Sequence, residues 1–354
     1  MKLFNLDCHV SVIEDLKQIY EGLGHEVTSW SVSGHTWIFD RKQDEVDVVN
    51  QHTWKELSTE MCDLFYQRYK DELSHYDGFI CTYPPAFCML YEKFNKPVIL
   101  HIPIRYEVPF NNNHKMWEYF NDYLRKGIDS GMIIPVANSI YDKKYFEFFV
   151  KRDCKLIPSL CEYTKSDYNP PIRMTPDFLM YSRLNIALPS NIVNIASLGK
   201  HEWQDIANYN GIIMLPYNCS IMSIFEYYTA NIPLFAPTKE FMKTLYADGH
   251  NVLSELTWNK TNGLPPGSVI GCEEDKDPNR YDSIEIMSKW IDYCDFYNAE
   301  WMPYITYFES FEDLSVKLST TNLNSISSKM KDFNISRKRK IYDLWKKELL
   351  KLEN

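Results

Sequence analysis

The chain has 354 residues, 45% of them hydrophobic and 24% charged, with a formal net charge of −10. That length suits two domains, each with enough apolar sequence for its own core, and the acidic balance argues against a general nucleic-acid binder, which needs a basic surface. The nine Cys are scattered without a C-x-x-C pair, as expected of reduced thiols rather than a disulfide framework or a zinc site. No run approaches the roughly 18 apolar residues that span a membrane. The N-terminus, MKLFNLDCHV, lacks the leader and apolar core of a signal peptide, so a soluble, cytoplasmic protein is expected.

In chain order, Leu3–Leu6 reads as a strand. It leads through Asp7-Cys8-His9 into a helix with Val12, Ile13, Leu16, Ile19, Tyr20 and Leu23 at apolar positions, and His25–Val32 is the next strand. No G-x-G-x-x-G follows the first strand, which weakens a dinucleotide reading. Asp7 and His9 fall at the carboxyl edge of the sheet, where open α/β folds bind ligands. A neutral imidazole suits a general base; a structural loop histidine is the alternative for His9. Residues 34–56 are polar and irregular and read as a loop. A helix follows Ser58, then strands at Tyr76–Cys81 and Lys96–Ile102. The second runs into His101, Arg105 and Glu107, placed to meet a sugar or a phosphate. The alternatives are a buried His101 that satisfies backbone groups and an Arg105–Glu107 surface pair. Residues 111–128 read as a helix and Met132–Ala137 as a strand. Ser139 or Asn138 then caps another helix, and Lys155–Leu160 is the last strand of this half. The Pro-rich stretch 164–176 (TKSDYNPPIRMTP) is the expected linker between a domain of residues 1–163 and one of residues 177–325.

The second half opens with a strand at Phe178–Tyr181. Residues 192–238 then give strand, helix, strand, helix, strand. The apolar runs Ile192–Leu198, Gly211–Pro216 and Ile232–Pro237 are too short for helices. Between them lie Trp203, Ile206 and Ala207, then Ile221, Met222, Ile224, Phe225 and Tyr228, at helical spacing. The crossover after Pro216 is the informative one. A turn, Tyr217-Asn218-Cys219, leads to Ser220 as the expected N-cap of a helix. Its first turn offers free N–H groups and partial positive charge to a phosphate. Ser223 and Glu226 follow at intervals of three, placing a carboxylate one to two turns away for ribose hydroxyls. Residues 255–282 read as a loop-rich insertion, and Asp275 and Asp277 within it as a solvated acidic loop in preference to a metal–diphosphate site. A helix at 284–294, a strand at 304–308 and a helix capped by Ser310 follow. The terminal stripe of Ile341, Leu344, Trp345, Leu349 and Leu352 is either a packing face or, with Arg337-Lys338-Arg339-Lys340 before it, a membrane-surface helix.

The 192–238 segment resembles the donor-binding segment of GT-B glycosyltransferases, in which a small-residue turn leads to a helix carrying Glu, then Gly-x-Pro and a strand. Here Glu226 is followed five residues later by Asn231 and seven later by Pro233. Asn in place of Gly tolerates the left-handed conformation a helix end often needs. Asn218 stands eight residues before Glu226, where retaining enzymes of this type often carry a second Glu, so the stereochemistry stays open. The resemblance implies an α/β fold of two Rossmann-like domains facing across a cleft, with a C-terminal helix (326–354) packing back on the first. It implies hexosyl or pentosyl transfer from a UDP- or GDP-linked sugar to a hydroxyl of a glycan or other acceptor, with no obligatory metal or cofactor. In that scheme Arg183 and Lys200 meet the diphosphate beside Tyr217, Asn218, Ser220, Met222 and Ser223. Glu226 holds the ribose, His101 faces the donor sugar, and Arg105 and Glu107 lie on the acceptor side. His9 or Asp7 takes the acceptor proton if the enzyme inverts. In overall impression the chain is also similar to glycosyltransferases encoded by large algal DNA viruses. A nucleotide-sugar epimerase of the same fold and a non-catalytic glycan-binding protein are the rival functions.

Overall fold

The computed structural model describes residues 1–169, 177–182, 191–256, 279 and 284–352. Arg183, Asp275, Asp277 and the second half of the expected linker lie outside them. The chain divides into two compact units, Met1–Ser159 with Ile341–Asn354, and Leu160–Lys340.

The first unit runs β1 (Lys2–Asp7), α1 (Val10–Gly22), β2 (Glu26–Ser31), α2 (Thr59–Leu73), β3 (Gly78–Cys81), β4 (Val98–Ile102), α3 (His114–Asp129), β5 (Ile133–Ala137), α4 (Ile140–Val150) and β6 (Lys155–Leu156). Its six strands lie in the order β2-β1-β3-β4-β5-β6, every ladder parallel. Strands covered on both faces read as unbroken apolar runs, and β4 and β5 are buried along their whole length. Helices begin where a side-chain oxygen takes up a first-turn N–H. Ser58 accepts from Met61 at 3.3 Å, Asn113 from Met116 at 3.2 Å and Ser139 from Asp142 at 3.0 Å. Strand β6 is shorter than the sequence suggests, because its ladder ends where β5 ends, at Ala137, whose carbonyl accepts from Ile157 N–H at 2.9 Å.

The 34–56 stretch holds two short 3-10 turns, Thr36–Phe39 and Trp54–Glu56. Between them, residues 41–44 bond to the edge strand β2. Arg41 donates to the Ser29 carbonyl at 3.0 Å, Ser31 N–H donates to Asp44 Oδ2 at 2.7 Å, and Asp44 N–H donates to the Ser31 carbonyl at 2.9 Å.

The second unit runs β7 (Phe178–Ser182), β8 (Ile192–Asn194), α5 (Trp203–Ala207), β9 (Ile212–Leu215), α6 (Met222–Thr229), β10 (Leu234–Pro237), α7 (Lys239–Ala247), α8 (Ile284–Trp290), β11 (Thr306–Phe308), α9 (Phe311–Thr320) and α10 (Leu323–Leu349). Its strands lie in the order β11-β10-β9-β7-β8, again all parallel. Both units are therefore Rossmann-like. In each, the second strand lies on one side of the first and the later strands on the other, so the order reverses between β1 and β3 and between β7 and β9. The carboxyl ends at such a reversal are where open α/β sheets take ligands.

Helix α10 ends in the first unit. Ile341, Trp345 and Leu349 are each at most 2% exposed, and the Trp345 ring meets Tyr20 edge-on at 5.2 Å. The basic run before them is used within the second unit. Arg337 donates to Thr229 Oγ1 at 3.0 Å and lies over the Tyr228 ring, while Lys338 and Lys340 pair with Glu162 and Glu300, each at 2.7 Å. Three of the four cations of the suggested membrane surface thus already have protein partners. Among the described residues, no helix is long and apolar enough to cross a membrane.

Candidate functional site

At the reversal point of the first unit, Asp7 closes β1 and is fully buried. Its Oδ1 accepts from Ser31 Oγ at 3.0 Å and from the His9 backbone N–H at 2.8 Å. Oδ2 has no hydrogen-bond partner among the described residues. Burial pushes the Asp7 carboxyl up to about 7, against the opposing pull of those two hydrogen bonds. His9 is the N-cap residue of α1 and is exposed. Crowding by protein atoms lowers its imidazole pKa, favouring the neutral ring. Tyr83, at the end of β3, sets its ring 5.8 Å from that of His9, and Trp54 follows at 6.0 Å from Tyr83. The Cys8 N–H donates to the Tyr83 carbonyl at 2.7 Å, tying the two strand ends together. Asp7 therefore fixes the backbone of His9, not its ring.

The other first-unit candidates lie deeper than expected. His101, on β4, is 1% exposed, with the Trp345 ring at 6.0 Å; burial alone pulls its pKa down to about 3. Arg105 and Glu107 are buried at 3% and 0%, so they are no surface pair. Glu107 Oε1 accepts from Tyr145 of α4 at 2.7 Å, which uses the carboxylate to anchor the loop after β4.

In the second unit, Tyr217, Asn218, Ser220, Met222, Ser223 and Glu226 occupy one continuous stretch from the end of β9 into α6. The turn is held from outside: Leu253 N–H donates to the Pro216 carbonyl at 2.9 Å and Glu255 N–H to the Tyr217 carbonyl at 2.8 Å. Asn218 is buried, and its Oδ1 accepts from Cys219 N–H at 2.8 Å. The helix starts one residue later than expected. Ile221, not Ser220, is the N-cap residue, in an extended conformation (φ −142°, ψ 119°) and 5% exposed. Burying the Ile221 side chain keeps the backbone extended past Ser220 and overrides the capping preference of the serine. Ile221 offers no side-chain acceptor to the first-turn N–H groups of α6.

Ser223 lies among three phenols, Tyr181, Tyr217 and Tyr227, of which the sequence marked only Tyr217. Tyr181 on β7 and Tyr227 on α6 both lie close enough to the Ser223 side chain to interact with it, as Tyr181 does with Tyr217. The Tyr181 ring is 6.0 Å from Tyr217 and 6.3 Å from Tyr227. Burial raises the pKa of both Tyr181 and Tyr227, so they stay protonated and able to donate. The available signal was the position of Tyr181 and Tyr217 at the ends of adjacent strands β7 and β9, the reversal point of this sheet. Lys200 does not follow a strand end. Strand β8 stops at Asn194, whose side chain accepts from Ala196 N–H at 2.9 Å and turns the chain into a 3-10 turn, leaving Lys200 exposed six residues on.

Neither a protein-family model nor a curated protein matches the chain. Among solved structures it is similar to the glycotransferase of kitacinnamycin, with a TM-score of 0.44, 9% identity and 98% of each chain covered. It is similar to CalG4, the calicheamicin glycosyltransferase, with a TM-score of 0.41, 12% identity and 98% of each chain covered. It is also similar to the glycosyltransferase SnogD from Streptomyces nogalater, with a TM-score of 0.44 and 11% identity over 98% of this chain and 99% of that one. Nothing in these similarities supports the likeness to algal-virus enzymes. The chain's own residues carry the assignment that follows.

Proposed function

We propose that the protein is a glycosyltransferase that moves a hexosyl or pentosyl group from a UDP- or GDP-linked sugar to an acceptor hydroxyl. The second unit, which contains the donor domain expected at residues 177–325, binds the donor; the first unit, which holds most of the domain expected at residues 1–163, serves the acceptor. The observation that carries this reading is the turn from β9 into α6, at the strand-order reversal of the second sheet, with Ser223 and Glu226 on the first two turns of the helix. The N-terminal end of α6 would stabilise the diphosphate as negative charge develops on it during departure. Glu226 would accept ribose hydroxyls, and the phenols around Ser223 would supply neutral donors. Arg183 and Lys200 would add positive charge, and no metal is called for. His9 is the proposed proton acceptor in preference to Asp7, because it is exposed and its lowered pKa keeps it neutral near pH 7. Asp7 is buried and holds the loop.

The test is thermal-shift binding of UDP, GDP, ADP, CMP and dTDP, each with Mg²⁺ or EDTA, to wild type and Glu226→Ala. A diphosphate at about 100 times its Kd adds roughly 2.7 kcal/mol of stability. One diphosphate should stabilise the wild type in EDTA and fail on the variant. In a transfer assay with that donor, His9→Ala should lose on the order of 100-fold to 10,000-fold in rate while melting normally. Silence from the whole panel overturns the reading and favours a glycan-binding protein.

A further inference from the structure

Glu226 is held by a residue 63 positions away in the chain. The Tyr163 hydroxyl donates to Glu226 Oε1 at 2.5 Å, in the range of short, charge-assisted O–H···O⁻ bonds. Tyr163 sits in the one-turn 3-10 helix Glu162–Thr164 and is 4% exposed. Several contacts fix that turn. Lys338 binds Glu162 at 2.7 Å, Thr229 Oγ1 donates to the Leu160 carbonyl, and the Trp203 ring meets the Tyr163 ring edge-on at 5.5 Å. The backbone is also strained on both sides: Cys161 and Lys165 adopt left-handed conformations, at φ 56° and 51°. Non-glycine residues in that region persist only where surrounding contacts hold them, and such strain gathers where a group's position matters. Here it brackets one phenol whose hydroxyl meets one carboxylate.

We propose that Tyr163 is the positioning residue for the nucleoside-binding carboxylate, fixing the rotamer of Glu226 so that it meets the ribose with little further ordering. This inference rests on the nucleotide-sugar reading above. Without the phenol, a glutamate must lose side-chain freedom when it binds a ligand. Each carboxylate oxygen has two lone pairs, so the bond from Tyr163 does not by itself exhaust the acceptor capacity of Oε1.

The experiment is calorimetric titration of the diphosphate that stabilises the wild type, and of its 2′,3′-dideoxy analogue, into wild type, Tyr163→Phe, Glu226→Gln and the double variant. Phenylalanine keeps the ring against Trp203, and melting curves check the fold. Tyr163→Phe should weaken the ribose form about tenfold, the scale of one hydrogen bond to a charged group, and leave the dideoxy form unchanged within about twofold. On the Glu226→Gln background it should add nothing. Equal loss for both ligands marks a general structural role and overturns the inference. So does tighter binding of the ribose form, which would make Tyr163 a competitor, and so does no change. A wild type that binds neither ligand, or both equally, overturns the ribose reading itself and this inference with it. Ribose discrimination that survives Tyr163→Phe overturns only the role of Tyr163.

Discussion

Asp7 carries an electrostatic cost that can be measured. Its folded pKa, about 7, lies above the ordinary 3.8 because burial disfavours the carboxylate. Between those values the unfolded chain has released the proton while the folded protein keeps it, so stability falls as pH rises. The fall is about 1.4 kcal/mol per pH unit, on the order of 4 kcal/mol from pH 4 to pH 7, and is complete above the folded pKa. Asp7→Asn retains an oxygen to accept from Ser31 and the His9 N–H but cannot ionise. The difference in unfolding free energy, variant minus wild type, should grow by that amount from pH 4 to pH 7 and then level off. Denaturant melts across the pH series read it directly, and a pH-independent difference would contradict the buried carboxyl. The neighbouring His9 has the opposite trend: its lowered pKa places the acid limb of any His9-dependent rate below pH 6.5, the ordinary value.

At the scale of elements, Asn231 shows what a short motif can and cannot disclose. The turn after α6 requires a left-handed residue, and Asn231 adopts φ 60°. Its side chain goes further than a glycine could, donating to Asp167 Oδ1 at 2.9 Å and accepting from Asn334 of α10 at 2.8 Å. Asn231→Gly keeps the backbone conformation but loses both bonds, and should cost about 2 kcal/mol. Asn231→Ala should cost more, since alanine resists φ above zero; urea unfolding of the two variants ranks them. The left-handed position was legible because it is a local backbone demand. The alternation of apolar runs and caps, Ser58 and Ser139 among them, was legible for the same reason. The start of α6 was not, because the preference of Ser220 for an N-cap lost to the burial of Ile221, a tertiary effect. The length of β8 was also missed, since Asn194 ends the strand through its side chain. Tyr163 and Tyr181 reach the candidate site from other parts of the fold, and no spacing within the 192–238 segment announces them; Tyr227, four residues after Ser223 on α6, was open to helical spacing and was missed.

At the scale of the whole molecule, α10 contributes to both units, its earlier turns to the second and the part from Ile341 onward to the first. Trp345 is the largest side chain in that last part, 1% exposed against Tyr20 and His101. Trp345→Ala should destabilise the first unit by about 3–5 kcal/mol, the usual cost of such a cavity. It should also admit water to His101, so that its pKa rises from about 3 toward the ordinary 6.5; histidine NMR titration and urea melts measure the two effects separately.

Open parallel sheets also leave rows of unpaired backbone groups at their margins, which can template pairing with another chain. Three of the four margins here are too short to do so, with β6 two residues long and β8 and β11 three each. The exception is β2, six residues long, and it is the one along which residues 41–44 bond to Ser29 and Ser31. A stretch that reads as irregular loop thus occupies backbone positions, at Ser29 and Ser31, that a second molecule would otherwise use to extend the sheet.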